Sequence, residues 1–456
     1  MTSSACDPDS LPFPNVRVDA GRLLARIGEL ARIGADHAGG VTRLAFSPED
    51  VQARDLVAGW MASSGLAVHV DPVGNLLGRL SGTGRHRAAL VIGSHLDTVL
   101  EGGALDGAYG VLAALEVADA LQRAGTRLGH DLVVTAFSGE EGGRGTPGMV
   151  GSSAVAGLLT PADLASTDDE GVPLATRIAD AGGDPGRIAD AAWDPADVAG
   201  YVELHIEQGP VLESTGCPVG VVTAITGQAK VDVTITGTAN HAGTTPMDRR
   251  RDAAVAAAHL VLAVESLAAA GHVHAATTGV LAAKPGVRNV VPGEAVLGID
   301  IRDLDRDRIS AAIARLGEAA ASVAQRTGTT IPLRPGPAVP SVPTAPWLAG
   351  CVAEAADALG APHQELPSGA GHDAQIMARL GPVAMIFVPS LGGVSHSPAE
   401  ASTPDDLVLG ADVLLRTVVM ADDVLYRRRG PSVSSHSGAT TPRQVDAVHA
   451  PRRSST

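Results

Sequence analysis

The chain has 456 residues, more than one hydrophobic core usually organises, so two domains are expected. A formal charge of −16 argues against nucleic-acid binding, and no run of eighteen apolar residues is present to span a membrane. Three scattered cysteines, Cys6, Cys217 and Cys351, exclude both a disulfide framework and a cysteine-based zinc cage, and fit a reducing, cytoplasmic setting. Residues 1–15 carry Asp7, Asp9 and prolines without a basic stretch ahead of an apolar one; they read as a disordered N-terminus rather than a signal peptide. Apolar residues at helical spacing predict a helix over 16–35 (Leu23, Leu24, Ile27, Leu30, Ile33) and another over 48–64, with Ser47 as its N-cap and Pro48 at its first position. Residues 66–70 and 73–79 read as short strands, and 88–94 (AALVIGS) as a buried one. A helix over 111–124 and a second buried strand over 131–137 (DLVVTAF) follow. Strands alternating with helices imply an α/β domain with a mixed, mainly parallel sheet covered on both faces.

The character changes after about Val219. Segments 230–237 (KVDVTITG) and 296–302 alternate polar and apolar residues, and each is followed by a helix, over 252–270 and 306–327. This predicts an inserted α+β domain over 221–339 with one sheet face covered. A helix over 347–359 and a buried strand over 383–388 (VAMIFV) return to the first pattern, so that domain is discontinuous, 16–220 and 340–427. The last thirty residues hold six arginines against one aspartate, are rich in Ser, Thr and Pro, and lack periodicity; 428–456 is expected to be a disordered basic tail.

Chemistry-bearing residues gather where buried strands end, the place where open α/β sheets put ligands. His95 and Asp97 follow the 88–94 strand, and Asp97 is placed to hold the second ring nitrogen of a metal-bound His95. Asp106 lies on a glycine-shaped loop, GGALDGAYG, that matches neither a P-loop nor a dinucleotide fingerprint. Glu140 and Glu141 sit side by side after the 131–137 strand. Two adjacent carboxylates repel unless a cation or proton is shared, so one on a metal and one free to move protons is a natural division. His205 alternates with Glu203 and Glu207. Two loops, GAGHD with His372 and GGVSHSPAE with His396, compete to supply a further ligand, and spacing alone does not choose between them. Each signal taken singly is also what a buried structural histidine or a solvated acidic turn looks like; together they predict a metal site. No Gly-x-Ser-x-Gly elbow supports a serine nucleophile, and no histidine motif adjoins a cysteine.

The set GSHLDTV, GALDGAYG, SGEEGGR, ELHIEQGPVLE, NHAGTTPM, RNVVPG, DIR, SGAGHDAQ and VSHSPAE resembles the hydantoinase/carbamoylase group of the M20 metallopeptidase family, over about 22–425. The resemblance implies a dinuclear catalytic domain and an inserted lid through which a homodimer forms. It implies two divalent ions per subunit, Zn²⁺ first with Mn²⁺ or Co²⁺ open, since histidine/carboxylate sites accept several metals. His95 and His205 would hold one ion, Glu141 and His396 the other, with Asp106 between them and Glu140 as general base. His241 would stabilise the developing oxyanion, in its own or the partner subunit's site. Gln208, Gln228, Asn289, Arg302 and Gly371 would bind substrate, Arg302 by pairing with a carboxylate. The implied substrate is a small ureido carboxylate, allantoate ahead of an N-carbamoyl-L-amino acid, with β-ureidopropionase activity as a further option. A peptidase or aminoacylase is disfavoured by His205, where the family's peptidases carry a carboxylate. A non-catalytic binding protein is disfavoured because every ligand is present.

Overall fold

The computed structural model describes residues 16–37 and 39–429. The disorder expected of 1–15 and of the tail from 430 onward lies outside the described residues; the last helix, Pro404–Arg429, runs two residues past the expected start of that tail. The strands in chain order are β1 (Ala67–Val70), β2 (Leu76–Leu80), β3 (Ala89–His95), β4 (Leu132–Phe137), β5 (Val198–Ile206), β6 (Val219–Ile225), β7 (Gly227–Thr236), β8 (Asn240–His241), β9 (Ala275–Lys284), β10 (Val290–Val291), β11 (Glu294–Asp303), β12 (Leu333–Pro335), β13 (Val342–Pro343), β14 (His363–Ser368) and β15 (Val383–Val388).

Nine of them form one sheet in the order β1-β2-β4-β3-β5-β15-β6-β13, with β14 pairing β6. Its centre, β4-β3-β5-β15, is parallel throughout. These strands are apolar on both sides because both sides are covered, and every residue of β3, β4, β5 and β15 is buried. One face packs against the helices Ala20–Leu30, Ala108–Arg123, Pro346–Ala358 and Pro404–Arg429 through Leu23, Leu112, Val352 and Leu414. The other packs through Val155, Tyr201, Met377 and Phe387. Truncating such a fully buried Leu to Ala costs about 2–5 kcal/mol, so the strand ends are held on a stiff platform. Ser47 caps the helix Pro48–Ser63 as its sequence indicated, its side chain accepting from the Asp50 N–H.

The second sheet, β12-β7-β11-β9, is antiparallel and separate. β7 and β11 alternate buried positions with partly buried or exposed ones, with Val231, Val233, Leu297 and Ile299 facing the helices Ala253–Ala269 and Arg306–Thr327. This is the α+β unit that the alternation pointed to. Its beginning differs from the expected residue 221: β6 pairs with β14 and β15 in the large sheet, so the second unit starts at Gly227. The apolar run of β6 belongs to the large core, and only from β7 onward does the alternation of a half-covered sheet begin.

Candidate metal centre and substrate cleft

The carboxyl ends of β3, β4, β5 and β15 open onto a cleft of about 470 Å³. Its walls include His95, Asp106, Glu140, Glu141, His205, Gln208, Gln228, Arg302, Gly371 and His396, so ten residues scattered over 300 positions of sequence converge on it. Asp106 is central. One carboxylate oxygen lies 3.1 Å from His205 Nε2 and 3.8 Å from His95 Nε2, and the other lies 3.1 Å from His396 Nε2. Glu141 approaches His396 Nε2 at 3.4 Å, and Glu140 approaches His95 Nε2 at 3.7 Å. Two groups of donor atoms thus share Asp106: His95/Asp106/His205 and Asp106/Glu141/His396, each within 4.8 Å.

The local chain explains how these atoms are aimed. Gly107, at φ +62°, starts the helix Ala108–Arg123 directly after Asp106; a Cβ there would meet the His95 ring at 2.3 Å. Glu400 accepts from the backbone N–H groups of Leu105 and Asp106, and its other oxygen accepts from Ser395 Oγ at 2.7 Å. It therefore ties the Asp106 loop to the His396 loop. His396 (φ +53°) and Gln208 (φ +59°) adopt the left-handed region, which costs a non-glycine side chain roughly 1–2 kcal/mol and marks positions over-determined by their surroundings. Gln208 Nε2 donates to Asp106 at 2.8 Å.

The orienting role read from sequence for Asp97 is corrected. The Asp97 carboxylate is 3.8 Å from His95 Nδ1; the atom holding that nitrogen, at 2.9 Å, is the Asp97 backbone carbonyl. The carboxylate turns to the next strand end and accepts from the N–H groups of Gly139, Glu140 and Glu141, shaping the loop that carries both glutamates. His205 Nδ1 is likewise held by a carbonyl, that of Ile206 at 2.8 Å, rather than by Glu203 or Glu207. Glu203 accepts from Ser94 Oγ and the Ala374 N–H, and Glu207 accepts from the N–H groups of Val211 and Leu212. In both histidines the carbonyl fixes Nδ1 as the hydrogen-bearing nitrogen and leaves Nε2 as the ligand atom.

His372 and His396 differ in their partners. His372 is buried, and its Nε2 is 2.9 Å from Ser368 Oγ. It forms a third donor group with Glu203 and His205, but Glu203 is already committed to Ser94 and Ala374. His396, half exposed at the cleft, faces Asp106 and Glu141.

The electrostatics favour cations here. Among the described residues no lysine or arginine pairs with Asp106, Glu140 or Glu141. Burial, reinforced by the Asp106 charge, pushes the Glu141 carboxyl up to about 8, and burial beside Asp373, Glu141 and Asp97 raises Glu140 well above the usual range. Glu141 Oε1 is buried without a hydrogen-bond partner. A cluster of buried carboxylates and aimed imidazoles, with an orphaned oxygen among them, fits divalent ions.

His241 and Asn289 lie apart from the cleft, on and beside the two-stranded ribbon β8-β10. The Asn289 carbonyl accepts from the Ala242 N–H. His241 is exposed, and its Nδ1 accepts from Gly243 and Thr244 N–H, so Nε2 is the end that can donate. Arg302 is already engaged, by Asp300 at 2.8 Å and by the Gly369 carbonyl at 2.7 Å. Residues that sequence reasoning passed over are Glu400 and Asp373, although both lie inside motifs that had been singled out, VSHSPAE and SGAGHDAQ.

A model of the peptidase family M20/M25/M40 matches residues 91–420. The N-carbamoyl-L-amino acid amidohydrolase of Geobacillus stearothermophilus is 44% identical over 409 residues, covering 88% of this chain and 98% of that protein. The allantoate amidohydrolase of Bacillus subtilis is 37% identical over 401 residues, covering 87% and 95%. Among solved structures, an amidase of the hydantoinase/carbamoylase family from Burkholderia multivorans superposes with a TM-score of 0.80 at 38% identity, covering 90% of this chain and 99% of that one.

Proposed function

The chain belongs to the M20/M25/M40 peptidase family, in its hydantoinase/carbamoylase group, and from that premise we propose that it hydrolyses the carbamoyl C–N bond of N-carbamoyl-L-amino acids. As a member of that group it is a metal-dependent amidohydrolase acting on C–N bonds other than peptide bonds. The observation that carries the reading is the pair of donor groups sharing Asp106, with Glu140 beside them in a cleft that also presents Arg302. The sequence alone favoured allantoate; what favours the carbamoyl amino acid is the identity of 44% against 37% for the two kinds of relative.

His95, Asp106 and His205 would hold one divalent ion, and Asp106, Glu141 and His396 the other; zinc, manganese and cobalt all suit such donors. When bound, the ions supply Lewis-acid polarisation and a water of lowered pKa. Glu140 takes the proton of the attacking water and passes it to the departing nitrogen. Arg302 orients the substrate carboxylate, its guanidinium held in place by Asp300 and Gly369. The donating Nε2 of His241 would meet the developing oxyanion.

Because His241 lies outside the cleft of its own chain, delivery from a second copy is the arrangement we favour. The second unit offers the surface for it: β9 is a sheet edge, and Val280, Leu281 and, from the neighbouring helix, Leu262 are half or more exposed.

Ammonia release from a panel of N-carbamoyl-L-amino acids, N-carbamoyl-β-alanine, ureidoglycolate and allantoate, with Zn²⁺, Mn²⁺ or Co²⁺ supplied, tests the reading. N-carbamoyl-L-amino acids are expected to give the highest kcat/KM. Higher kcat/KM on allantoate would return the assignment to the reading from sequence.

A further inference from the structure

One charged side chain in the cleft has no task in this scheme. The polar face of β7 and β11 carries Gln228, Lys230, Asp300 and Arg302, with Gln228 opposite Arg302 and Lys230 opposite Asp300. Gln228, Lys230 and Arg302 line the cleft. Asp300 is fully engaged: Arg302 donates to both its oxygens, at 2.8 and 3.3 Å, and Gln228 Nε2 donates to it as well. Among the described residues Lys230 forms no ion pair, although it stands directly across from that carboxylate. Of the two cations that line the cleft here, Arg302 is paired with Asp300 and the Lys230 ammonium is not; Asp232, two residues along the same face, lies outside the cleft lining and forms no ion pair with Lys230.

We propose that Lys230 is a specificity-determining residue that receives a second anionic group of the substrate, a side-chain carboxylate, while Arg302 takes the α-carboxylate. The proposal rests on the N-carbamoyl amino-acid reading and names the preferred members of that class as those of acidic amino acids. Lys230 and Arg302 are diagonal neighbours across two antiparallel strands, roughly 7 Å apart at their bases. That spacing, with two long side chains, suits carboxylates separated by two or three carbons. An ammonium on a flexible stem suits the outer one, whose position varies with side-chain length, whereas the planar guanidinium suits the invariant one. The rival reading has a physical basis too. Met149, Val339 and Ile376 line the same cleft and would favour an apolar side chain.

The test compares N-carbamoyl-L-glutamate with the similarly long but neutral N-carbamoyl-L-methionine, on the wild type and on Lys230→Met. A partly exposed charge pair is expected to favour the glutamate compound by about five- to tenfold in kcat/KM, expressed in KM. Lys230→Met should reduce that ratio to about one, and Lys230→Glu should invert it. A ratio unchanged in Lys230→Met overturns the proposal. Binding of glutarate against butyrate to the metal-loaded protein, by calorimetry, separates this from the reaction assignment. If no carbamoyl compound is turned over but glutarate binds more tightly and Lys230→Met abolishes the difference, the reaction reading falls and the subsite stands. If Lys230→Met leaves glutarate affinity unchanged, the subsite falls whatever the enzyme hydrolyses.

Discussion

Replacing Gly107 by alanine probes how tightly the metal-side histidine is cradled. The backbone there sits at φ +62°, ψ −50°, outside even the left-handed α region in which a Cβ costs roughly 1–2 kcal/mol, so a side chain is strained there. The added methyl group would also lie 2.3 Å from His95 Cε1 and 2.4 Å from both ring nitrogens, against an ordinary contact of 3.4 Å or more. The ring, buried and held through Nδ1 by the Asp97 carbonyl, must therefore shift by about 1 Å. A displacement of that size at a reacting centre costs on the order of a hundredfold in rate. Gly125→Ala is the control for a positive φ without a clash: its φ is +64°, with nothing within 4 Å of the new Cβ. The measurements are metal content by elemental analysis, kcat with the ion in excess, and urea unfolding of both variants. Gly107→Ala should lose metal affinity and about two orders of magnitude in kcat, whereas Gly125→Ala should lose only stability. Equal behaviour of the two variants would refute the cradle argument.

Glu140→Gln is expected to keep both ions and lose at least a hundredfold in kcat, because the amide fills the same space but cannot take a proton; wild-type turnover would remove Glu140 as the base. Arg302→Ala should raise KM for carboxylate substrates roughly ten- to hundredfold, the worth of a charged hydrogen bond, and an unchanged KM with lowered Tm would mean that Arg302 serves only to join Asp300 to the Gly369 loop. Burial, with the nearby Asp97 charge, pushes the Asp50 carboxyl up to about 7. Its folded-state value exceeds the unfolded one, so the stability it contributes is present below about pH 4 and is lost as pH rises to 7, by at most ~4 kcal/mol. Asp50→Asn should flatten that fall in urea melts taken between pH 4 and 8, and parallel curves for the two proteins would contradict it. Leu281→Lys on β9 should shift a dimer toward monomer in sedimentation and lower activity through loss of the partner's His241; a monomeric protein with full activity would end the dimer proposal.

Much of this molecule is legible along the chain because the relevant forces are local. A run such as VAMIFV can only be buried, and the amphipathic repeat of Arg306–Thr327 can only be a helix with one covered face. Ser47 followed by a proline announces a helix start within four residues. β9 escaped notice because AATTGVLAAK has no apolar alternation; its residues are mostly exposed on a sheet edge. The beginning of the second unit was displaced because only Thr226 separates β6 from β7, so the change from apolar run to alternation falls within a few residues.

The sequence by itself determined which atoms are available: His95, His205, the competing His372 and His396, a glycine-framed aspartate and a glutamate pair, each at or near the end of a strand or on a glycine-rich loop. Residue type and spacing carry that information, because ligand chemistry depends on donor atoms that only these side chains bear. Tertiary structure alone decided who holds whom. Asp97 lies two residues from His95, yet its carboxylate serves the loop after a neighbouring strand, and a backbone carbonyl does the orienting. His396 takes its place beside Asp106 because Glu400, 294 residues away along the chain from Asp106, ties the two loops together. Lys230 is left uncompensated because its cross-strand neighbour is claimed by Arg302. Each of these outcomes is a competition among several partners for one hydrogen-bonding atom, and distance in space settles such competitions where distance along the chain does not.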